Sequence, residues 1–264
     1  MKTSTERMIA RKEGAVGWMQ FNNPARHNAV SVDMWRAVPE VLAEFERDDE
    51  IRAVVLSGAG GKAFVSGADI SEFEEKRSSR EAVLEYNRIA GAANAAIIGF
   101  SKPTIAMIQG YCFGGGVGVA LCCDLRIATD NSSFAVPAAK LGLGYGYDGL
   151  KRLVDVVGPS FAKEIFYTAR RFDSSEALAM GLVNRVVPAS DIETYVRDYA
   201  AMIGGNAPLT IRAAKICVNE ATKDPADRDL AAAQAAVDAC FASEDYIEGR
   251  SAFSEKRKPN FRGR

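Results

Sequence analysis

This chain of 264 residues has a single histidine, His27. A Ser-His-Asp or Cys-His nucleophile would have to be built on it, and no second histidine is available for a zinc site. Phosphate-cradling sequences are not found in the context they need either. Neither G-x-x-x-x-G-K-[ST] nor G-x-G-x-x-G follows a strand-like run, so nucleotide hydrolysis and dinucleotide redox chemistry lose their usual support. Charge of neither sign is in excess: 33 Lys and Arg face 34 Asp and Glu, leaving no global field to attract nucleic acid or an anionic membrane. The N-terminal MKTSTERMIARKEG lacks an apolar signal-peptide core, and no later stretch reaches about eighteen uninterrupted apolar residues. Five cysteines, an odd number, lie in apolar contexts such as ALCCDL (Cys122, Cys123), AKICVNE (Cys217) and VDACFA (Cys240). They read as reduced core thiols rather than a disulfide framework. These absences lead to the expectation of a soluble, cytoplasmic protein without nucleic-acid or membrane partners, which must hold any anionic ligand by local charge.

What is present is alternation. The length exceeds that of a usual single domain, so one large α/β domain, or a main domain with a smaller appendage, is expected. Short runs rich in Val, Ile and Met, bounded by Gly, Pro or Asn, read as strands at 15–21 (AVGWMQF), 51–58 (IRAVVLSG), 103–110 (PTIAMIQG) and 124–129 (DLRIAT). Helical periodicity fills Val32 to Asp48, with an internal Pro39, and Arg80 to about Ile98. Strand and helix in repetition argue for an α/β fold of parallel or repeated ββα units. Beyond about residue 150 strand signals nearly vanish. SSEALAMGLVN offers a Ser N-cap and a stop at Gly181, the segment from ASDIETYV stops at Gly204, and the last helical stretch breaks near Ser243 to Asp245.

The segment GYCFGGGVGVALCCDLRIAT (110–129) carries the chemistry. A strand ending at Gly110, a turn through Tyr111 to Phe113, then Gly114, Gly115 and Gly116 opening an apolar helix would leave bare backbone N–H groups at a helix N-terminus, where negative charge binds. Upstream, GGKAFVSGADI (60–70) places Gly67 and Ala68 after the short strand AFV. Two small-residue loops, each after a strand and before a helix, can converge on one oxygen as an oxyanion hole. Either loop alone reads equally well as a tight turn with close packing.

Five motifs in order resemble the crotonase, or enoyl-CoA hydratase/isomerase, superfamily nearly from end to end. They are NNPARHNAVS (22–31), AFVSGADISEF (63–73), SKPTIAMIQGYCFGGGVGVALCCDLRIAT (101–129), SSEALAMGLVNRVVP (174–188) and EGRSAFSEKRKPNF (248–261). The resemblance implies a crotonase-like core of repeated ββα units over residues 1–195 that binds a CoA thioester. It also implies a C-terminal helical trimerisation region over 196–264, in a homotrimer or a hexamer built as a dimer of trimers. The substrate would be an acyl-CoA thioester, with no cofactor beyond its CoA moiety, and its carbonyl oxygen would be held by the N–H groups of Ala68 and Gly115. Arg26 is a candidate for the CoA phosphates, and Asp69 and Ile70 fall where the family's adenine-side loop runs. The terminal segment, with Phe253 and Lys256 and the further cations Arg257, Lys258, Arg262 and Arg264, is expected to reach CoA from an adjoining subunit. For any one of these cations, a solvated basic tail is an equally good reading. His27 is read as binding-site periphery or surface. Phe73 and Tyr86 are candidates to limit acyl length.

The resemblance breaks at the catalytic carboxylates. The two glutamates of family hydratases correspond here to Gly118 and Ala138. Each positioned acid or base contributes on the order of a hundredfold or more, so hydration needs replacements. AAKLGLGYGYDGLKRL (138–153) offers Lys140, Tyr145, Tyr147, Asp148 and Lys151, with Tyr145 and Asp148 preferred because the surrounding glycines allow them to turn inward. Asp148 reads equally well as a helix N-cap. The same loop is similar to that of methylmalonyl-CoA decarboxylase, in which a Tyr takes the position of Tyr145, although Ala68 stands where that enzyme has a His. Three functions therefore remain: a lyase or isomerase working through a thioester enolate, with hydratase as the default; a malonyl-type acyl-CoA decarboxylase using Tyr145; and a CoA-thioester binding protein without catalysis.

Overall fold

The computed structural model describes residue 1, residues 3–69 and residues 79–264. The chain opens with a hairpin of β1 (Met8–Glu13) and β2 (Val16–Phe21), closed by Gly14 at φ 57°. From β2 onward the neighbours are parallel: β3 (Ala53–Gly58), then a strand at Thr104–Ile108, then one at Leu125–Thr129, and finally one at Arg185–Val187. Between them the chain lays down a second, smaller sheet. β4 (Ala63–Val65) follows β3, and β5 (Thr104–Ile108) of the large sheet is followed by β6 (Tyr111–Phe113) of the small one. Likewise β7 (Leu125–Thr129) is followed by β8 (Ser133–Ala135), and β9 (Phe172–Asp173) then pairs antiparallel with β8, while β10 (Arg185–Val187) closes the large sheet. Each repeat thus gives one strand to each sheet before its helix, which is the ββα repetition expected from the sequence.

The helices cover the faces. α1 (Val32–Arg47) runs through Pro39 and buries Met34, Trp35, Val38, Leu42 and Phe45 along one stripe. Each such fully buried side chain contributes about 1.5–3 kcal/mol. α2 (Arg80–Ile98) packs on α1, α3 (Gly115–Cys122) follows β6, and α4 (Tyr147–Thr168) follows β8, broken at Gly158 (φ 75°) before Pro159. Alternation along the strands separates two cores: Met19, Val54 and Leu56 face the main one, while Trp18, Val55 and Ile105 face a second. The second core is covered by a helix at Ile192–Gly204 through Ile192, Val196 and Ala200.

Several local expectations change. Residues 111–113, read as a turn, form β6, because pairing with β4 and β8 on both sides overrides the short length and flanking glycines. α5 (Ser174–Ala179) is capped by Asp173 rather than by a serine. The Asp173 side chain accepts from the Glu176 N–H at 2.9 Å, and the Glu176 carboxylate accepts from the Asp173 N–H at 3.0 Å. The 195/196 boundary falls inside α6 (Ile192–Gly204), whose apolar face belongs to the sheet. β1, β9 and β10 gave no strand signal strong enough to be read.

The remaining helices are α7 (Pro208–Thr222), α8 (Leu230–Phe241) and α9 (Glu244–Glu255), with Ser243 capping α9 where the sequence suggested a break. Lys215 ties α7 to the sheet, donating to Asp124 at 2.8 Å and to the Lys102 carbonyl at 3.0 Å. The buried Asp245 carboxylate pins the tail by accepting the N–H groups of Arg262 (2.6 Å) and Gly263 (2.7 Å). Among the described residues no helix is long and apolar enough to cross a membrane. Cys112, Cys122 and Cys123 are buried, and burial raises their thiol pKa values, that of Cys122 to about 11.

Candidate active site

Parallel pairing of β4 with β6 brings the ends of both strands to the same level, so the loop at Gly67–Ala68 meets the one at Gly114–Gly115. A Cβ on Gly115 would lie 3.8 Å from the Ala68 nitrogen, and one on Gly67 would lie 3.9 Å from the Gly115 nitrogen. The Ala68 loop is fixed by a parallel bridge to Val30. The Val30 N–H donates to the Gly67 carbonyl at 2.8 Å, and the Asp69 N–H donates to the Val30 carbonyl at 3.0 Å. Such a bridge uses the residues on either side of Ala68 and turns its own N–H away. Gly115 is the first residue of α3, where an N–H has no intrahelical acceptor. Among the described residues neither amide has a protein acceptor.

Each of the three consecutive glycines has its own reason. Gly114 sits at φ 50°, ψ −112°, which a side chain would strain, and its N–H donates to the Ala135 carbonyl at 2.8 Å. Gly115 presents the amide facing Ala68. Gly116 lets α3 lie against β4, since a Cβ there would come within 2.1 Å of the Val65 carbonyl oxygen.

Asn28, between His27 and Ala29, holds the entry loop. Fully buried and at φ 56°, it donates to the carbonyls of Ala59 (2.9 Å) and Ala63 (2.7 Å) and accepts the Asn23 N–H at 2.9 Å. An Asn tolerates this left-handed conformation better than most side chains, but nothing local in the sequence announces that it clamps the start of β4.

The Tyr145 hydroxyl lies 3.9 Å from where a Cβ on Gly114 would be, and its ring packs edge-on against Phe166 of α4, centroids 5.0 Å apart. Phe166 lies 21 residues further along the chain, so sequence reasoning had no signal for it. At the two positions where the resemblance led to glutamates being expected, Gly118 has no described residue within 4 Å of a Cβ, and Ala138 is a buried apolar residue of the short helix Pro137–Leu141.

Asp148 is exposed in the first turn of α4 and is not its N-cap, a position Gly146 holds. A carboxylate in this first turn suits the positive end of the helix. Lys151 is committed to Asp155 (3.0 Å) and the Thr222 carbonyl (3.1 Å). Arg26 pairs at 2.8 Å with Asp69, itself buried, while about half of the Arg26 side chain stays exposed. His27, at φ 52°, lies edge-on to Tyr111 at 5.7 Å on the outside of β6, where Arg171 also stacks over Tyr111 and Phe113. Tyr86 is buried and accepts the Trp35 indole N–H at 2.9 Å. Ile70 and Phe73 lie outside the described residues. Phe253, 88% exposed on α9, and Lys256, the left-handed C-cap of that helix, make no hydrogen bond or ring contact with the two glycine loops among the described residues.

The fold and the paired amides define a class: a two-sheet ββα protein with open backbone donors at the ends of adjacent parallel strands. A family model for enoyl-CoA hydratase/isomerase matches residues 11–264. The chain is 37% identical over 253 residues to a short-chain-enoyl-CoA hydratase of Clostridium acetobutylicum, covering 95% of each chain. It is 33% identical over 264 residues to a carnitinyl-CoA dehydratase of Escherichia coli O157:H7, covering 98% of this chain and 100% of that one. Its structure superposes with a TM-score of 0.93, at 35% identity, on an enoyl-CoA hydratase/carnithine racemase from Magnetospirillum magneticum, covering 99% and 97% of the two chains. The chain belongs to the enoyl-CoA hydratase/isomerase family and has the crotonase fold.

Proposed function

We propose that the protein is an acyl-CoA lyase or isomerase that stabilises a thioester enolate between the N–H groups of Ala68 and Gly115, with the Tyr145 hydroxyl as proton donor. The observation that carries this reading is the meeting of two unengaged amides with a phenol beside Gly114. When an electron pair reaches the α-carbon, the thioester oxygen becomes an oxyanion, and two fixed donors stabilise it without reorganising. Loss of one such donor costs about 3–4 kcal/mol. Protonation of the α-carbon from Tyr145 regenerates the thioester, and the phenolate recovers its proton from water. The relatives' names, hydratase and dehydratase, make addition or removal of water the default reaction.

A second reading, decarboxylation of a malonyl-type acyl-CoA, is favoured by the residues at the former carboxylate positions. Breaking the bond to the departing carboxylate delivers its electron pair to the enolate and releases carbon dioxide, so no general base is needed. With Gly118 and Ala138 in place of glutamates, the site does not repel an anionic acyl group. Acyl-CoA would be the sole ligand, with no further cofactor, in a cytoplasmic homotrimer or dimer of trimers. The exposed Phe253, Ile247 and Leu230 of the C-terminal helices suit burial against a second copy.

Mass spectrometry of crotonyl-CoA and methylmalonyl-CoA after incubation with the protein separates the readings. Water gained by crotonyl-CoA supports the first, and carbon dioxide lost from methylmalonyl-CoA supports the second. If neither thioester changes although both bind, the protein is a CoA-thioester binder. Gly115→Pro removes the amide at a helix position where proline is well tolerated, and it is expected to abolish either reaction. An active Gly115→Pro protein overturns the role of this amide.

A further inference from the structure

The residues that lead into β3 and β5 lie at the end of the large sheet opposite the glycine loops, and they border a cavity of about 390 Å³. Four guanidinium side chains line it: Arg264, which pairs with Glu244, and three others, Arg52 before β3, Arg212 on α7 and Arg262 in the tail. Among the described residues none of the three has a carboxylate within ion-pair distance, and Arg52 is held only by the Phe261 carbonyl, at 3.5 Å. The other charged groups nearby are already engaged. Asp245 is saturated by the tail N–H groups, Glu244 pairs with Arg264 at 3.2 Å, and the Lys102 ammonium donates to the carbonyls of Phe45 and Asp48, both at 2.7 Å. Asp49, exposed, is the one acidic side chain of the lining. α7 begins at the cavity wall with Pro208, so the positive end of its dipole adds to the same field.

Three like charges converging on a concavity repel one another, and among the described residues none of them is offset by a direct ion pair, Asp49 being the one acidic side chain of the lining. We propose that this cavity binds a small phosphorylated anion, a phosphate or diphosphate group, at a site separate from the thioester site. Guanidinium groups suit it because their planar forks take phosphate oxygens two at a time, which a lysine cannot do. The volume accommodates a diphosphate together with its bridging waters. The three cations come from the segment leading into β3, from α7 and from the tail, so an occupant would also fasten the C-terminal helices to the core.

Isothermal titration of the full chain with inorganic pyrophosphate at fixed ionic strength tests the assignment. One saturable site per chain is expected. Arg212→Ala, an exposed position at which the unliganded protein should melt at the wild-type temperature, is expected to weaken it about tenfold or more, as is Arg262→Ala. The isotherm should be unchanged by saturating CoA. Absence of saturable binding, wild-type affinity in both variants, or displacement by CoA each overturns the proposal. Displacement would mean that pyrophosphate occupies the phosphate region of the thioester site instead. Because no thioester chemistry is measured, failure here leaves the enolate reading untouched, and failure of that reading leaves this one standing.

Discussion

Alanine at Gly116 and at Gly118 should have opposite effects, although the substitution is the same and the two residues are two positions apart on α3. A Cβ at Gly116 would sit 2.1 Å from the Val65 carbonyl oxygen and 2.9 Å from its carbon. Real Cβ contacts are essentially never closer than 3.0 Å, so helix and strand must part by about 1 Å. The obstacle is the backbone of a fully buried strand paired with β6, which cannot rotate away as a side chain would. Overpacking of this kind costs about 1–3 kcal/mol after less than about 1 kcal/mol of recovered helix propensity. At Gly118 no described residue lies within 4 Å of the added Cβ, and alanine gains about 0.5–1 kcal/mol by restricting the unfolded chain. The two variants should therefore differ by roughly 1.5–4 kcal/mol, on the order of 3–15 °C in melting temperature for a chain of this size. Differential scanning calorimetry at one protein concentration reads this directly. Thioester turnover should fall about a hundredfold in Gly116→Ala alone, because the same retreat moves the Gly115 amide away from Ala68. If Gly116→Ala melts at or above Gly118→Ala, the close approach of α3 to β4 is wrong, and the account of the three glycines fails with it.

Tyr145→Phe keeps the ring packed against Phe166 and removes only the hydroxyl. Turnover should drop by about 10²–10⁴ if the hydroxyl delivers the proton, and unchanged turnover removes Tyr145 from the mechanism. Glu248 accepts both Arg257 Nη groups (2.6 and 2.8 Å) and the Asn260 N–H (2.8 Å), and these bonds, the Arg257 pair first, hold its carboxyl down at about 2. A depressed carboxyl stabilises the fold above its unfolded value near 4.5 and loses that contribution as pH falls toward 2. Glu248→Gln should thus melt below the wild type at pH 7, and the two melting curves should converge by about pH 2. A gap independent of pH would show that the effect is not electrostatic.

The ββα alternation could be read from β3, β5 and β7 because each is a short run rich in apolar residues, and the helices Val32–Arg47 and Arg80–Ile98 because their periodicity is clean. β6 could not, since three residues between glycines look like a turn until β4 and β8 are placed on either side. The two glycine loops were legible as candidates for the same reason as the strands: small residues immediately after an apolar run leave backbone donors bare. Whether they met was not legible, because that depends on the parallel register of β4 and β6. Asn28, Val30 and Phe166 act on the site across distances in sequence for which no local pattern exists.

The sequence by itself determined the repeated α/β architecture and, through its five ordered motifs, the family. These follow from residue type and spacing, which local physics and motif order express directly. Only the tertiary structure decided which of the spare polar residues approaches the amides. It put the Tyr145 hydroxyl beside Gly114 against Phe166, left Asp148 exposed on the first turn of α4, committed Lys151 to Asp155, and gathered Arg52, Arg212 and Arg262 around one cavity. The physical reason is that a side chain's chemistry is written in the sequence, whereas its neighbours are set by how sheets, helices and tail pack.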